Sequence, residues 1–524
     1  MNPGQDICCL REDQKYRIDS LVDYLFPING EQVAAFVEYM RRQEVCKTHA
    51  EKKEISFPYV GMVEFRCTKG SSDSVRKLVF FEPKFFPERK KEECALGKFT
   101  DSQKIVLKAI LKYQKTQRVS LFSNGRISAY EGCSTLLSSR LALVLDVMEK
   151  GIYQVPKIEL TLNGQGNIDW TETFARLEPF FLDDGPCYIN RVTREMGYED
   201  DSYISRLQMC LASQCLAYFE DIGLAEPLGL FLDSSYNGDL EDFGTLDYCK
   251  SRLMNELRTQ FIDDKQQSLR LMLAVLEEKP YGLDELEFQA FGMSGFHALW
   301  ERAIKDVFVD DLERTPCQLG LLRQDEYKAN LQLKDFIAPP IWISTDTKVE
   351  ASQSEDEGAK AARLRPDFVA IGRKVDEHGN TTPSSLIILD AKYYQPEFVG
   401  KVIRGAPGVG DIDKQLLYEI GYLDLVESKK LKVFNAFFFP GYKEPDSDKR
   451  PILSGSPFAS ISVDVFELLS KISHKRVRGS FDSYIIDGLA LLDSYIHNSR
   501  DDEQRSCLMK ILSSNGQRYG GIMG

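Results

Sequence analysis

The sequence has no hydrophobic run long enough to cross a membrane as a helix. Such a helix needs about 20 mostly apolar residues, and no run of that kind occurs in the chain of 524 residues. The first residues, Met1 to Asp6, lack the basic and apolar regions of a secretory signal peptide. The two absences predict a cytoplasmic protein.

Cysteine pairs at metal-binding spacing are also absent. The 12 cysteines are scattered and include no CxxC pair, which excludes the common zinc ribbons and fingers. Cys8-Cys9 and Cys210/Cys215 are the close pairs. We expect reduced, mostly buried thiols.

The chain contains fewer basic than acidic residues. Lys and Arg total 66 against 80 Asp and Glu, for a net charge of −14, which argues against a protein that binds nucleic acid over its whole surface. A local basic groove is still compatible with DNA, because acidic stretches such as 233–247 and 310–313 can lie elsewhere. The deficit also suggests that a partner supplies part of any affinity for DNA.

A nucleotide-binding motif is missing as well. Residues 405–410 (GAPGVG) have the glycine spacing of a P-loop, but Asp411 and Ile412 stand where Lys and Ser/Thr are required. Without them there is no cation for the β- and γ-phosphates and no hydroxyl for Mg²⁺. We expect this loop only to connect a strand to the next helix.

Two segments in the C-terminal half carry the candidate chemistry. Residues 365–373 are a predicted strand, and residues 386–394 (LIILDAKYY) begin as an apolar run typical of a strand buried on both faces. Turn-forming residues between them predict a hairpin, which brings Asp367 beside Asp390. Lys392 shares a face with Asp390 because alternate residues of a strand do. Two carboxylates and a lysine at a strand end suit Mg²⁺ with an adjacent cation; the alternative is a lysine capping an ordinary surface hairpin.

This arrangement resembles the PD-(D/E)XK nuclease superfamily. The motif stands here as Pro366-Asp367 followed by Asp390-Ala391-Lys392. A D-x-K tripeptide alone is common by chance, so the resemblance also depends on the apolar strand that leads into it and on the two predicted helices that flank the hairpin.

The first of those helices contains Glu301, and nucleases of this superfamily commonly place a glutamate on the helix before the catalytic sheet. The alternative is an ordinary exposed glutamate. The second is predicted from about 411 to 427 and places Gln415, Tyr418 and Tyr422 on one face. A Gln-x-x-Tyr helix after the catalytic strand is found in a subset of these nucleases, including the McrC-like restriction subunits.

The resemblance implies Mg²⁺-dependent hydrolysis of phosphodiester bonds, with Mn²⁺ able to substitute. Asp367, Asp390 and the backbone carbonyl of Ala391 would coordinate the metal, and Glu301 would bind a second metal or a metal-bound water. Lys392 would position or deprotonate the attacking water. The side chains expected to orient Lys392 or the scissile phosphate are Gln415 and Tyr418.

A second resemblance lies near the N-terminus. Residues 59–63 (YVGMV) and 83–86 (PKFF) resemble the N-terminal part of the LlaJI-family restriction endonucleases. These are bacterial restriction subunits that can act with an McrB-like AAA+ GTPase, the nuclease being the McrC-like component. The resemblance implies double-stranded foreign (phage) DNA as substrate, such a GTPase as a possible partner, and a homodimer or paired assembly for double-strand cleavage.

Candidate DNA-binding lysines and arginines lie in two places. Lys401 and Arg404 follow the catalytic strand and are available to phosphates. Lys104, Lys108 and Lys112 form a stripe on the amphipathic helix predicted over 99–117. More often such a stripe is only a solvated helix face.

The predicted fold is α/β and multi-domain. We expect an α+β N-terminal module over 1–190, a helical connecting region over 191–285, and over 286–524 a PD-(D/E)XK restriction-endonuclease-like domain with a mixed central sheet flanked by helices. Within that last domain, 431–440 is a predicted strand and 458–514 is predicted to be mainly helical, with a small basic cluster at 474–478.

Three functions are compatible with these features. The first is a restriction-type DNA endonuclease that cuts with Mg²⁺ and not with EDTA. The second is a repair nuclease on the same fold, which would prefer branched or single-stranded DNA. The third is a non-catalytic adaptor that only binds DNA, against which the intact set of Asp, Asp, Lys and Glu weighs.

Overall fold

A computed structural model describes residues 7–25, 30–42, 46–49, 53–69, 73–89, 95–96, 98–121, 136–199, 202–233, 235–236, 238–277, 281–283, 286–337, 341–343, 350–352, 364–375, 378, 380–443, 452–453, 457–462, 480–497 and 508. The predicted basic cluster at 474–478 lies outside these residues.

The strands are β1 (Ile7–Arg11), β2 (Tyr16–Arg17), β3 (Lys47–His49), β4 (Glu54–Ser56), β5 (Tyr59–Lys69), β6 (Asp73–Glu82), β7 (Ala95–Leu96), β8 (Val155–Leu162), β9 (Asn167–Ile168), β10 (Phe180–Leu182), β11 (Gly185–Cys187), β12 (Val192–Glu199), β13 (Tyr281–Leu283), β14 (Leu286–Ser294), β15 (Ile341–Ile343), β16 (Glu350–Ser352), β17 (Phe368–Val375), β18 (Thr381–Ala391), β19 (Glu397–Val399), β20 (Val402–Arg404), β21 (Lys432–Gly441), β22 (Ala459–Ser462) and β23 (Ser480–Asp487).

The α-helices are α1 (Ile18–Leu25), α2 (Gly30–Arg42), α3 (Asp101–Leu121), α4 (Leu136–Lys150), α5 (Trp170–Arg176), α6 (Tyr203–Asp221), α7 (Ala225–Leu228), α8 (Leu246–Thr259), α9 (Asp263–Glu277), α10 (Phe296–Phe308), α11 (Val409–Gly421), α12 (Leu423–Lys429) and α13 (Gly488–Ile496).

The chain forms two compact units. The first contains residues 1–5, 63–76 and 134–291, and the second contains residues 6–62, 77–133 and 292–524. The predicted catalytic hairpin lies entirely within the second unit, and so do the two helices predicted to flank it.

Helices make up most of residues 203–277 of the first unit, within the region predicted to be helical over 191–285. α4 and α6 pack against each other and both pack against α9, which also contacts α8. Each helix buries an apolar stripe; α6, for example, buries Leu207, Leu211 and Phe219. Burial of these stripes on one another stabilises the helices, since short helices are marginal alone in water.

A small sheet with the order β8-β12-β9 belongs to the same unit. The helix α5 that follows β9 begins after Asp169, whose carboxylate accepts a hydrogen bond from the Glu172 amide. Asp169 therefore caps this helix. Trp170, the first residue of the helix, is 48% exposed. Its ring lies against Phe174, which is also exposed.

In the second unit, β1 pairs parallel with β6 and antiparallel with β7. Residues 59–63, which carry the N-terminal resemblance, begin β5, and β5 and β6 are neighbours in their sheet. Residues 11–50 contain α1 and α2 and also short strands such as β3. The short strands have too few residues for a period-2 pattern to be recognised.

A five-stranded mixed sheet is the centre of the second unit. Its order is β17-β18-β21-β23-β22, with β18, β21 and β23 parallel to one another and both outer strands antiparallel to their neighbours. The helices α10, α11 and α13 pack against it. A mixed α/β architecture is thereby confirmed, and the sheet order places the predicted catalytic hairpin, β17–β18, at one side with β21 covering the inner edge of β18.

Two predictions in this unit were wrong in detail. The helix predicted over 411–427 ends at Gly421, and α12 begins after Tyr422, whose hydroxyl donates to the Leu333 carbonyl at 2.7 Å. The segment 458–514, predicted to be mainly helical, contributes β22 and β23 before α13. Residues 481–484 of β23 are Phe-Asp-Ser-Tyr and lack the regular alternation of apolar and polar residues that marks a half-buried strand, so the local pattern does not identify this strand.

Two further expectations concern the whole chain. No helix among the residues described is long and apolar enough to span a bilayer. All eight cysteines whose side chains the structure describes are free thiols.

Candidate active site

The candidate site lies where β17 begins and β18 ends. Val369 and Ile371 of β17, and Leu386 and Ile388 of β18, point to one face of the sheet and join a single apolar cluster there. Because side chains alternate along a strand, the next positions of the same stripes are Asp367 and Asp390. Both carboxylates therefore leave the apolar core on the same face.

The two carboxylates meet. Phe368 pairs with Leu389 across the antiparallel ladder, and the Ala391 amide donates to Asp367 Oδ2 at 3.0 Å. Asp390, only 6% exposed, shares a hydrogen bond with the Asp367 side chain. Burial, together with the hydrogen bond and negative charge of Asp367, raises the pKa of Asp390 to about 8. The pair thus holds a proton near neutral pH unless a cation replaces it.

Lys392 lies on the same face, two residues beyond Asp390. Its Nζ is 3.0 Å from Asp390 Oδ2 and 3.0 Å from Asp411 Oδ1. Burial lowers the pKa of Lys392, but the two carboxylates outweigh it and raise the pKa above the usual lysine range. Lys392 is therefore a fixed cation rather than a base. Its backbone amide donates to the Phe438 carbonyl at 2.9 Å, which anchors the strand end to β21.

Asp411 is the member of the site that the sequence analysis missed. The sequence singles it out only as the residue at the lysine position of a false P-loop. It lies in the first turn of α11, and its carboxylate is one third exposed. The signal that could have found it is its place at the start of the helix after the catalytic strand, where a negative charge is also favoured by the helix dipole. Hereafter the carboxylate–lysine cluster means Asp367, Asp390, Lys392 and Asp411.

The helix α11 also brings Tyr418 to the cluster. Tyr418 is almost fully buried, and burial together with the charges of Asp390 and Asp367 raises the pKa of its phenol above the usual range. Gln415 is fully buried, and its Nε2 donates to the Ala436 carbonyl at 3.2 Å. Gln415 thus contacts the backbone of β21, between helix and sheet.

Glu301 lies on α10, as predicted, but its role is not decided by the fold. Most of α10 is apolar on the side that faces the sheet, including Trp300 and Ile304, and Glu301 is half-buried beside that stripe. Among the residues that the structure describes, no three His, Cys, Asp or Glu side chains are grouped so as to hold a metal ion. A metal-binding role for Glu301 stays a prediction.

Two aspartates accept hydrogen bonds from the backbone amides on the outer edge of β17. Asp311, fully buried, accepts from the Ile371 amide at 2.9 Å, and Asp310 accepts from the Val369 amide at 3.0 Å. These carboxylates replace the missing neighbouring strand and hold β17 in place next to Asp367. The acidic stretch that begins at Asp310 therefore supports the sheet.

The predicted DNA-binding residues fall into two groups. Lys401 and Arg404 are exposed on the β19–β20 hairpin. On α3, Lys104 pairs with Asp101 at 3.1 Å. Lys112 donates to the Tyr495 carbonyl on α13, and its ammonium lies 4.4 Å from the centre of the Tyr495 ring. Of the three lysines in the stripe, Lys112 therefore contributes to the packing of α3 on α13. Lys108 is partly exposed.

The donor set of the cluster fits a small divalent cation. Asp367 and Asp390 supply carboxylate oxygens close enough to share a proton, and a divalent cation relieves the same repulsion that the proton relieves. Mg²⁺ is commonly held by one or two carboxylates, with waters and substrate phosphate oxygens completing its shell. Two protein carboxylates therefore suffice.

The fold and the cluster together define a mixed α/β protein with a carboxylate–lysine site at the end of a strand hairpin. The sequence profile of the family described as LlaJI restriction endonuclease matches residues 59–466. Because this match spans well over half of the chain, the chain belongs to the LlaJI restriction endonuclease family.

Two further similarities are more limited. The chain is 27% identical over 321 residues to the type II restriction enzyme BsuMI component YdjA of Bacillus subtilis. The match covers 61% of this chain and 59% of that relative, which is less than two thirds of its length. A solved half-complex of Thermococcus gammatolerans McrB AAA+ hexamers with bound McrC is 12% identical. That match covers 96% of this chain and 100% of the other, with a TM-score of 0.36, which is too low to support an inference.

Proposed function

We propose that the chain is a divalent-metal-dependent DNA endonuclease of the restriction type, with its active site at the carboxylate–lysine cluster in a PD-(D/E)XK arrangement. The observation that supports it best is the contact of Asp367 with Asp390 at one strand end, with Lys392 on the same face. Family membership supports the same activity.

In this proposal Asp367, Asp390 and the Ala391 carbonyl hold Mg²⁺, or Mn²⁺ in its place, and Glu301 is a candidate for a second metal or its water. The bound cation supplies Lewis-acid polarisation of the scissile phosphate and an activated water. Lys392 remains protonated and offsets the negative charge that develops on the phosphate. Gln415 and Tyr418 are proposed to orient Lys392 or the scissile phosphate.

Asp411 is proposed to position Lys392. When a cation occupies the Asp367–Asp390 pair, the attraction of Asp390 for Lys392 weakens, and Asp411 still holds the ammonium. We expect Asp411→Asn to lower kcat for plasmid cleavage about 10- to 100-fold, as loss of an outer-shell partner commonly does, with little change in KM. The matched control is Asp413→Asn, an exposed aspartate of the same helix turn. Equal rates for Asp411→Asn and wild type would remove Asp411 from the mechanism.

The substrate proposed is double-stranded foreign DNA, cut by a homodimer or paired assembly. The test is an assay on modified and unmodified plasmid, in Mg²⁺ and in EDTA, with and without a GTPase partner. Cleavage that needs Mg²⁺ and yields linear plasmid supports the restriction function. A preference for branched or single-stranded DNA would point to the repair nuclease instead.

An McrB-like AAA+ GTPase is the proposed partner, and the first unit has a surface suited to a protein contact. Ten large apolar side chains of residues 155–196 are between 38% and 80% exposed. They are Ile158, Leu160, Leu162, Trp170, Phe174, Phe180, Phe181, Leu182, Ile189 and Met196. Ile158 and Met196 pair directly across the β8–β12 ladder, and neighbouring exposed apolar side chains commonly mark an interaction site. We name these ten residues the apolar surface.

A variant of this surface should separate partner binding from folding. We expect Phe181→Ser with Met196→Ser to weaken binding of the GTPase partner at least about 10-fold, measured by titration of the purified proteins. Phe261→Ser is the control, because Phe261 is 88% exposed and lies outside the apolar surface. Binding at wild-type affinity by the double variant would exclude this surface as the docking site.

A further inference from the structure

The β19–β20 hairpin lies in the chain between Lys392 and Asp411, two members of the carboxylate–lysine cluster. It begins five residues after Lys392, a stretch that spans at most about 18 Å when fully extended. The chain then runs from Arg404 to Asp411, whose carboxylate contacts Lys392. The segments on both sides of the hairpin therefore lead to residues that contact each other in the cluster.

The base of the hairpin is firmly held. Gln395 Nε2 donates to the carbonyls of Phe85 at 3.3 Å and Pro440 at 3.2 Å. Gly405, at φ +64°, approaches Gln395 so closely that a Cβ there would lie 2.9 Å from the Gln395 carbonyl oxygen. The Phe398 ring packs on Phe458, with ring centres 5.9 Å apart. The hairpin is thus fixed in direction relative to the cluster.

Its outer part exposes apolar side chains. All six strand residues are exposed, with Val402 at 63% and Val399 at 42%. Val399 pairs with Val402 across the ladder, so the two side chains share one face next to the turn, where Lys401 adds a positive charge. A two-stranded ribbon with exposed apolar residues is marginal by itself in water, and such residues commonly mark a contact surface.

We propose that this hairpin enters the minor groove of the DNA duplex next to the scissile phosphate. Lys401 binds a backbone phosphate, and Val399 and Val402 contact sugar and base edges as an apolar wedge. The inference rests on the proposed nuclease function, since it takes the scissile phosphate to lie at Lys392. Charge complementarity favours DNA: Lys401 and Arg404 against Glu397 leave the hairpin positive on a chain whose net charge is −14.

The reach of the hairpin suits the depth of the minor groove, and its entry requires the groove to widen. Three residues of strand extend about 10 Å, which suffices to cross from a phosphate to the floor of a groove about 7.5 Å deep. An undistorted minor groove is only about 6 Å wide, so the ribbon must deform the duplex as it enters. Apolar side chains that enter the minor groove commonly unstack a base step and bend the duplex toward the major groove. The wedge would thereby expose the backbone at the cut.

The test uses the full chain in EDTA, where no cleavage occurs, with a mixed-sequence duplex carrying 2-aminopurine as the probe. We expect Lys401→Gln to reduce the slope of log affinity against log salt by about 0.9, the value for one lost phosphate contact. We expect Val399→Ser with Val402→Ser to weaken binding about tenfold, from lost apolar contact, and to abolish the rise in 2-aminopurine fluorescence that wild type produces. Lys432→Gln and Phe231→Ser, exposed residues elsewhere, are the controls.

Wild-type salt slope and fluorescence for both hairpin variants would overturn the proposal. So would a double variant that binds DNA normally but loses association with a second copy of the chain, because the hairpin would then be a protein interface. Failure of the nuclease proposal is a separate result, since it would appear as normal cleavage by cluster variants.

Discussion

Asp390→Asn is expected to abolish DNA cleavage and, in EDTA at pH 8, to raise the Tm of the protein. Cleavage is lost because an amide supplies one neutral oxygen where the proposed metal site needs a carboxylate. The Tm rises because ionisation of the Asp390 carboxylate in the wild type is unfavourable at its buried position beside Asp367. A residue that is required for activity and unfavourable for stability is typical of a functional site.

The pH dependence arises from the raised pKa of Asp390. Its value in the folded protein is about 8, against about 4 for a carboxyl group in an unfolded chain. Between these pH values the folded state holds a proton that the unfolded state releases. The free energy of unfolding of the metal-free wild type therefore falls as the pH rises from about 4 to about 8. In the variant the amide donates to Asp367 at every pH, so this loss is absent.

Thermal unfolding in EDTA from pH 5 to pH 8 measures this effect. The difference in Tm between Asp390→Asn and wild type should be largest at pH 8 and shrink toward pH 5. Added Mg²⁺ should raise the Tm of wild type, since a ligand that binds the folded state stabilises it, and leave the variant unchanged. Asp413→Asn, which changes an exposed aspartate, should behave as wild type throughout. Cleavage by Asp390→Asn at the wild-type rate would rule out the site.

Lys392→Met is expected to lower kcat about 10²- to 10³-fold, the cost of removing one group that stabilises transition-state charge. Its ammonium contacts both Asp390 and Asp411 at 3.0 Å, and these carboxylates keep it protonated. The variant keeps the Asp367–Asp390 pair, so metal binding should survive. Lys392→Arg preserves the charge and should retain more activity than Lys392→Met.

The pH–rate profile distinguishes a cation from a base. If Lys392 were a base, the wild-type rate would fall at low pH as Lys392 becomes protonated, and this fall would be absent from Lys392→Arg. If Lys392 acts only as a cation, the two pH–rate profiles have the same shape at low pH. Single-turnover cleavage of plasmid from pH 6 to pH 9 provides the comparison. An acidic limb lost in Lys392→Arg would show that Lys392 accepts a proton from the water, contrary to its environment.

The strands of the site could be predicted because their signal is local. The apolar run from Leu386 to Leu389 requires burial on both faces, and the turn residues before it require a hairpin. Period-2 alternation then places Asp367 and Asp390 on one face, and the hydrogen bond from the Ala391 amide to Asp367 agrees with that placement. The helix predicted over 411–427 was recognised from the spacing of Gln415, Tyr418 and Tyr422, but it ends earlier, at Gly421.

What escaped prediction depends on contacts between distant segments. Asp411 joins the site only because the hairpin of residues 397–404 folds back to its own base, and no spacing in the sequence records that closure. The break at Tyr422 coincides with a hydrogen bond from its hydroxyl to the Leu333 carbonyl, about ninety residues away in the chain. Glu301 is on its predicted helix, but helical position alone does not specify which way a half-buried side chain reaches.

The proposal is tested most directly by binding of Mn²⁺ to the purified chain with a short DNA duplex, measured by electron paramagnetic resonance. Wild type, Asp413→Asn and Lys392→Met should bind Mn²⁺ at the carboxylate pair, and Asp367→Asn and Asp390→Asn should not. Undiminished Mn²⁺ binding by both of these last two variants, each shown to be folded, would contradict the assignment of the metal site.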